Sequence, residues 1–372
     1  MIPYYLLLLC PAIVRIFQER FDIRIKTSSY EYTRCTDRKR EKKACIGVFF
    51  FLFIMLLACR AITCGIDLAI YRIHFENCAA STWREILNNY KGEYLYYFLN
   101  KGASLINNDF HFFITIIAVL SVLPIWYLYK HESRSPYLSV SLFIAIAPFS
   151  MYFSGLRQVV AMAFVVPAFY FAKNRKLIPF ILTVILALFF HSSAFVLALL
   201  YPIYSAKITK KWLWFVIPSM VLMFVFNKLI FNTIIGYLSV MYQERYGDIS
   251  STGSYGTLLI LVIFSIVAII LPDEEKLKTD GIALRNILLL CTCIQFFAPI
   301  NRIAMRMNFY YLPIVPLAIA RVINCSKDKY YQIANMIRIV FIVAFIALFF
   351  YRAIGGDDVY NIYPYVAFWN EY

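Results

Sequence analysis

The chain has 372 residues, 62% of them apolar by type and only 15% charged, with 34 Phe, 29 Tyr and a formal net charge of +15. A soluble fold cannot bury so much apolar side chain, because accessible surface grows steeply with size, and an ordinary globular domain uses about 25% charged residues. The excess of Lys and Arg is not a nucleic-acid signature either: it lies in short links between apolar runs, with no basic groove interleaved with aromatics.

Apolar runs follow one another at 2–17, 45–63, 110–129, 136–154, 157–172, 177–190, 192–206, 212–231, 257–271, 286–300, 307–323 and 336–352. A membrane helix needs roughly 20 such residues and tolerates ~17, so the runs predict an all-α polytopic membrane protein with about twelve spans. The whole of 1–372 reads as a single integral membrane domain. Its first run is flanked by Arg15, has no small-residue cleavage site, and reads as a retained span.

Lys and Arg in alternate links set the orientation. The link 18–44 is strongly basic and is taken as cytoplasmic. The same side then collects 25 of the 36 Lys and Arg, leaving 11 opposite, while Asp and Glu divide almost evenly. Both termini then face outward, as do the loops 64–109 and 232–256. The spans carry almost no mid-membrane ionisable residue, which disfavours an ion relay and moves polar chemistry to the outer interface.

Nine cysteines are present. Cys291 and Cys293 lie in an apolar run without His or carboxylate neighbours, so core packing is the better reading and no metal site is expected. Cys64 and Cys78 share the 64–109 loop, where a bridge would close a loop of about 15 residues. The other cysteines suggest no secreted-type disulfide framework.

Several constellations carry chemistry, each beside a duller reading. In the 64–109 loop, Asp67, Tyr71 and Phe75 share a face if the stretch is helical. Glu93 with Tyr96 and Tyr97 belongs to an expected amphipathic interfacial helix. Carboxylates beside rings suit sugars, although an aromatic belt at headgroup level has the same composition. Arg157 and Gln158 open an apolar run, where a guanidinium must be paired, snorkelling or binding an anion. Arg302 and Arg306 stand one turn apart, with Tyr310 a turn further on. Two forks on one face suit a diphosphate, and end-anchoring is the alternative. His191, between two runs, has the titration range of a general base or could donate to a diphosphate; a lone His is more often structural. There is no Walker motif, dinucleotide fingerprint or HExxH.

In order and spacing, these elements resemble the EpsG family, a branch of the Wzy-type polysaccharide polymerases. The matching pieces are Gly65-Ile66-Asp67 with Tyr71, Glu93 with Tyr96, Leu156-Arg157-Gln158 with Ala161, Phe190-His191-Ser192-Ser193-Ala194, and Arg302 with Arg306 and Tyr310. The resemblance runs over roughly 45–320 and rests on no single motif; the basic 18–44 link is longer than the family leads one to expect. It implies a GT-C-like glycosyltransferase of a bacterial inner membrane, with its active site facing the periplasm or exterior. The substrates implied are undecaprenyl-diphosphate-linked oligosaccharides, joined into capsular polysaccharide, exopolysaccharide or O-antigen without a cofactor. The pathway's flippase and chain-length regulator would be its partners. On this reading His191, Asp67 and Glu93 are catalytic candidates. Arg157, Gln158, Arg302 and Arg306 bind the diphosphate, and Tyr71, Tyr96 and Tyr310 contact substrate. A lipid-linked oligosaccharide flippase and a polysaccharide acyltransferase stay as alternatives. The first should line a cavity with polar residues through the bilayer, and the second should show a polar opening on the inner side.

Overall fold

A computed structural model describes residues 2–26, 44–90, 92–146, 148–236, 255–355, 358 and 360–370. Most of the 18–44 link and of the 232–256 loop lies outside the described residues. The described residues are mainly helical and form no strand, only isolated bridges. In chain order the helices are α1 (Ile2–Lys26), α2 (Ala44–Ala58), α3 (Leu68–Ala80), α4 (Trp83–Asn89), α5 (Tyr94–Ile106), α6 (Phe110–Glu132), α7 (Pro136–Ala145), α8 (Pro148–Met151), α9 (Leu156–Ala163) and α10 (Val165–Lys173). They continue as α11 (Leu177–Leu188), α12 (Leu200–Ser205), α13 (Lys210–Val225), α14 (Asn227–Gly236), α15 (Tyr255–Ile270), α16 (Glu274–Gln295), α17 (Arg302–Asn308), α18 (Val315–Asn324) and α19 (Tyr331–Gly355).

Every apolar run expected from the sequence falls on a helix, but the helices are not uniform spans. Among the described residues three are long and apolar enough to cross a membrane: Phe110–Glu132, Leu156–Lys173 and Asp328–Ile354. Two more qualify only as bent pairs, Lys210–Val225 with Asn227–Thr233 at 75° and Arg302–Asn308 with Leu312–Asn324 at 46°. Other apolar helices, such as Ala44–Ala58 and Pro136–Ala145, are shorter. The physical reason is local: Pro148 disfavours helix at the residue before it, so the 136–154 run breaks after α7. Ten residues of α-helix rise only about 15 Å, half the ~30 Å of a hydrocarbon core. The 192–206 run likewise divides, into a 3-10 turn over Ser192–Leu199 and α12.

The chain divides into two compact units. The first comprises Met1–Val166, Leu186–Ser192 and Val340–Tyr372. Its core is aromatic: Phe49, Phe50 and Phe53 of α2 pack with Tyr129, Phe143, Phe149 and Tyr152, all essentially buried. Edge-to-face geometry recurs here because it sets the positive ring edge on a negative face. Beyond α2 the loop 59–67 is held by the C-terminal tail, with Ala61 N–H donating to Val366 O at 2.9 Å, Ile66 N–H to Tyr360 O at 3.1 Å and Asn361 Nδ2 to Thr63 O at 2.9 Å. Gly65 in this loop has φ +137°, and a methyl there would strike the Phe153 carbonyl, so only glycine fits. Cys64 and Cys78 are both buried and the bridge considered for them is not formed.

The stretch 64–109 folds as α3, α4 and α5. A capping box between Thr82 and Glu85 starts α4. Phe75 of α3 stacks on Phe113 of α6, centroids 5.1 Å apart, anchoring the three helices to the aromatic core.

The second unit comprises Pro167–Ile185 and Ser193–Ile339 and is organised on α16. Arg285, fully buried, pairs with Glu274 and donates to Ile208 O at 2.7 Å. Asn286 donates to Ala206 O at 2.7 Å, and Ser265 bonds Thr292 at 2.8 Å. Asn308, also fully buried, donates to Gln295 Oε1 at 2.7 Å and Cys291 O at 3.0 Å, and so fixes α17 against α16.

Candidate functional site

Glu93 is the centre of the first unit's polar cluster. It is the residue before α5 and stands in the left-handed region, φ 52°, directly after Gly92 at φ 76°. That conformation costs a non-glycine residue about 1–2 kcal/mol. The turn swings the side chain away from the helix it precedes and into three partners. Oε1 meets His191 Nδ1 at 2.7 Å and accepts from Ser192 N–H at 3.0 Å. Oε2 accepts from Arg157 at 2.7 Å. The backbone makes the same junction, since Leu95 N–H donates to Phe189 O at 3.1 Å.

Burial alone would push the Glu93 carboxyl up. The His191 hydrogen bond and charge, the Arg157 charge and the Ser192 N–H outweigh it and hold the carboxyl at about 2. Glu93 is therefore a carboxylate at any physiological pH. With the carboxylate as acceptor, Nδ1 is assigned as the donor to Glu93.

Arg157, in the first turn of α9, is shared. One terminal nitrogen serves Glu93 and lies 3.4 Å from the Tyr97 hydroxyl, and the guanidinium carbon stands 5.8 Å from the Tyr71 ring centre. Its Nε is buried and meets no hydrogen-bond partner among the described residues. Gln158 beside it is buried.

Asp67 lies next to this group without joining it. It directly precedes α3, its N–H donates to Ser154 Oγ at 3.2 Å, and its Oδ2 accepts from Ser154 Oγ at 3.0 Å. Tyr71 and Tyr96 pack edge to face, centroids 5.9 Å apart, with Tyr96 fully buried and Tyr71 nearly so. Both rings therefore line the protein interior.

In the second unit Arg302 and Arg306 are exposed on α17, whose N-terminus is capped by Asn301 accepting from Ile303 N–H at 2.9 Å. Tyr310 is fully buried and its hydroxyl lies 3.1 Å from Ser193 Oγ.

The structure thus brings together Glu93, Arg157 and His191 with Tyr71, and separately groups Arg302, Arg306 and Tyr310 on one segment. Sequence reasoning missed His74, Tyr90, Ser154 and the Ser192 N–H. His74 had a usable signal, lying three residues after Tyr71 on the same helical face. Ser154 and Ser192 had none, because their roles depend on chain segments distant in sequence. Among the described residues no three His, Cys, Asp or Glu side chains converge as a metal site would require.

The described residues form an all-helical protein, and its long apolar helices mark the class of membrane proteins. The EpsG family model matches residues 43–367, most of the chain, and the chain belongs to the EpsG family. That family is Wzy-type polymerase-like and suggests a membrane polysaccharide polymerase. No curated protein and no solved structure matches the chain.

Proposed function

We propose that this protein joins lipid-diphosphate-linked oligosaccharide units into a polysaccharide at the outer face of a bacterial inner membrane, with undecaprenyl diphosphate as the carrier. The single observation that supports this most is the Glu93 carboxylate tied at once to His191 Nδ1 and Arg157, in a chain of a polymerase-like family. A carboxylate that orients an imidazole through Nδ1 readies Nε2 to take a proton. The acceptor sugar hydroxyl would lose its proton to His191 Nε2 as its oxygen attacks the anomeric carbon of the growing chain. The bond from that carbon to the lipid diphosphate breaks, and the diphosphate leaves with the electron pair.

A diphosphate is already an activated leaving group, so fixed guanidinium groups suffice to stabilise its developing charge. Within the first unit Arg157 is a proposed diphosphate ligand, with Gln158 beside it; the exposed pair Arg302 and Arg306 is proposed, by itself, as a diphosphate-binding pair of the second unit. Glu93 on this reading positions His191 and Arg157, while Asp67 orients sugar hydroxyls. About twelve spans, outward-facing termini and a cytoplasmic 18–44 link complete the proposal.

The test is deletion of the gene followed by gel analysis of surface polysaccharide. A single-repeat product in place of a ladder supports polymerisation. Loss of all surface sugar would point to a flippase, and an unchanged ladder lacking a substituent to an acyltransferase.

A further inference from the structure

The helices α3, α4 and α5 carry an aromatic surface beside the Glu93 cluster. Tyr90, which ends α4, stacks on Tyr97 of α5 with centroids 3.9 Å apart and planes 19° from parallel. His74 of α3 stands edge-on to both rings, 6.1 Å from each. Tyr71, one turn earlier, closes a third side at 6.5 Å. The surface adjoins the cluster, because the Tyr97 hydroxyl lies 3.4 Å from Arg157.

Accessibility divides these rings. Tyr71 and Tyr97 are each 7% exposed, whereas Tyr90 and His74 are half-buried. Tyr97 stacks on one face of Tyr90, and Tyr90 is the more exposed of the two rings. The tyrosines singled out from the sequence offer less, since Tyr96 and Tyr310 are fully buried.

His74 adds polarity without charge. Its burial and the nearby Arg157 charge both push the imidazole down from its ordinary value, so near pH 7 it is neutral. Nδ1 is buried and meets no hydrogen-bond partner among the described residues. A buried N–H without an acceptor is the costlier choice, which assigns the proton to Nε2. His74 then offers one N–H donor to a neutral ligand and no charge to attract an anion.

Resting on the polymerase reading above, we propose that Tyr90 and His74 form the subsite for the acceptor glycan. Tyr90 carries the apolar face of a sugar ring of the incoming unit, and His74 Nε2–H donates to a hydroxyl or ring oxygen of that sugar. A flat ring and a neutral donor match a pyranose, which has an apolar face rimmed by oxygens. The subsite also lies on the Arg157 side of the cluster, linked to His191 through Tyr97, Arg157 and Glu93.

The experiment uses the full-length protein in detergent. Its probe is repeat-unit oligosaccharide released by mild acid from the host's own surface polysaccharide, free of lipid and diphosphate. Saturation-transfer NMR reads binding of this glycan, and a polymerisation assay with lipid-linked units reads KM for the acceptor against kcat. Tyr90→Leu and His74→Phe should weaken glycan binding and raise KM by about ten-fold, with kcat changed by less than about two-fold, as the loss of one stacked ring or one directed hydrogen bond predicts. Tyr90→Phe, which keeps the ring, should bind like the unchanged protein, and thermal unfolding of each variant separates misfolding from lost recognition. Unchanged binding and KM in a folded Tyr90→Leu protein would overturn the subsite and leave these rings as interfacial packing. A protein that binds the glycan through Tyr90 yet never extends lipid-linked units would sink the polymerase reading and keep the subsite.

Discussion

Replacing Glu93 with Gln removes the charge that joins three segments and leaves the side chain's shape. Gln at φ 52° carries much the same left-handed backbone penalty as Glu, so the substitution isolates the electrostatic contribution. The wild-type carboxyl is held at about 2, against an ordinary value of about 4.3, and a depression of that size corresponds to about 3 kcal/mol of folded-state stabilisation at neutral pH. Glu93 is only 15% exposed but Arg157 is 31% exposed, and solvent screening at Arg157 brings the expected loss to about 2–3 kcal/mol. The sign is fixed by linkage. A carboxyl depressed in the folded state contributes stability above its unfolded value, and that contribution fades as pH falls from about 4.3 towards 2. Unfolding of the purified protein in detergent between pH 7 and pH 3 measures it. The Glu93→Gln protein should be less stable at pH 7, with a shallower acid slope, so that the two curves approach each other at low pH. Equal stability at pH 7 with parallel acid profiles would refute the central role given to this carboxylate.

Other outcomes follow from the same geometry. His191→Gln keeps a hydrogen-bond donor but no base, and should lower the polymerisation rate by roughly 10²–10⁴-fold; near-normal chain length in that variant would move the base role to Asp67 or Glu93. Arg157→Lys, Arg302→Lys and Arg306→Lys keep charge and lose the planar fork, so each should shorten the polysaccharide ladder well beyond any change in folded yield. Normal ladders in all three would make them interfacial anchors. Gly65→Ala places a methyl against the Phe153 carbonyl at a φ of +137° and should lower thermal stability. Gly102→Ala, in open space within α5, should instead raise it by up to about 1 kcal/mol. For topology, externally added thiol reagent should label cysteines engineered into 232–256 and spare those in 18–44; the reverse pattern removes the outward-facing site.

The sequence alone determined where the helices lie, because hydropathy acts over a window shorter than one span and needs no distant partner. All twelve apolar runs became helix, and the order of the elements around Gly65, Glu93, Arg157, His191 and Arg302 was enough to place the chain in its family. Helix breaks were only partly legible: Pro148 announces the interruption after α7, whereas the 75° bend after α13 follows no proline at the break. Tertiary structure decided what the polar residues do. Glu93 and His191 are 98 positions apart, and only the left-handed turn at Gly92 and Glu93 and the docking of α5 against 189–192 put a carboxylate oxygen 2.7 Å from the ring. The tyrosines show the same limit. Tyr96 and Tyr97 are neighbours in the chain, yet Tyr96 disappears into the core while Tyr97 backs the half-exposed Tyr90. Which face of a short helix meets the rest of the protein is set by packing against segments far along the chain, and no local pattern encodes it.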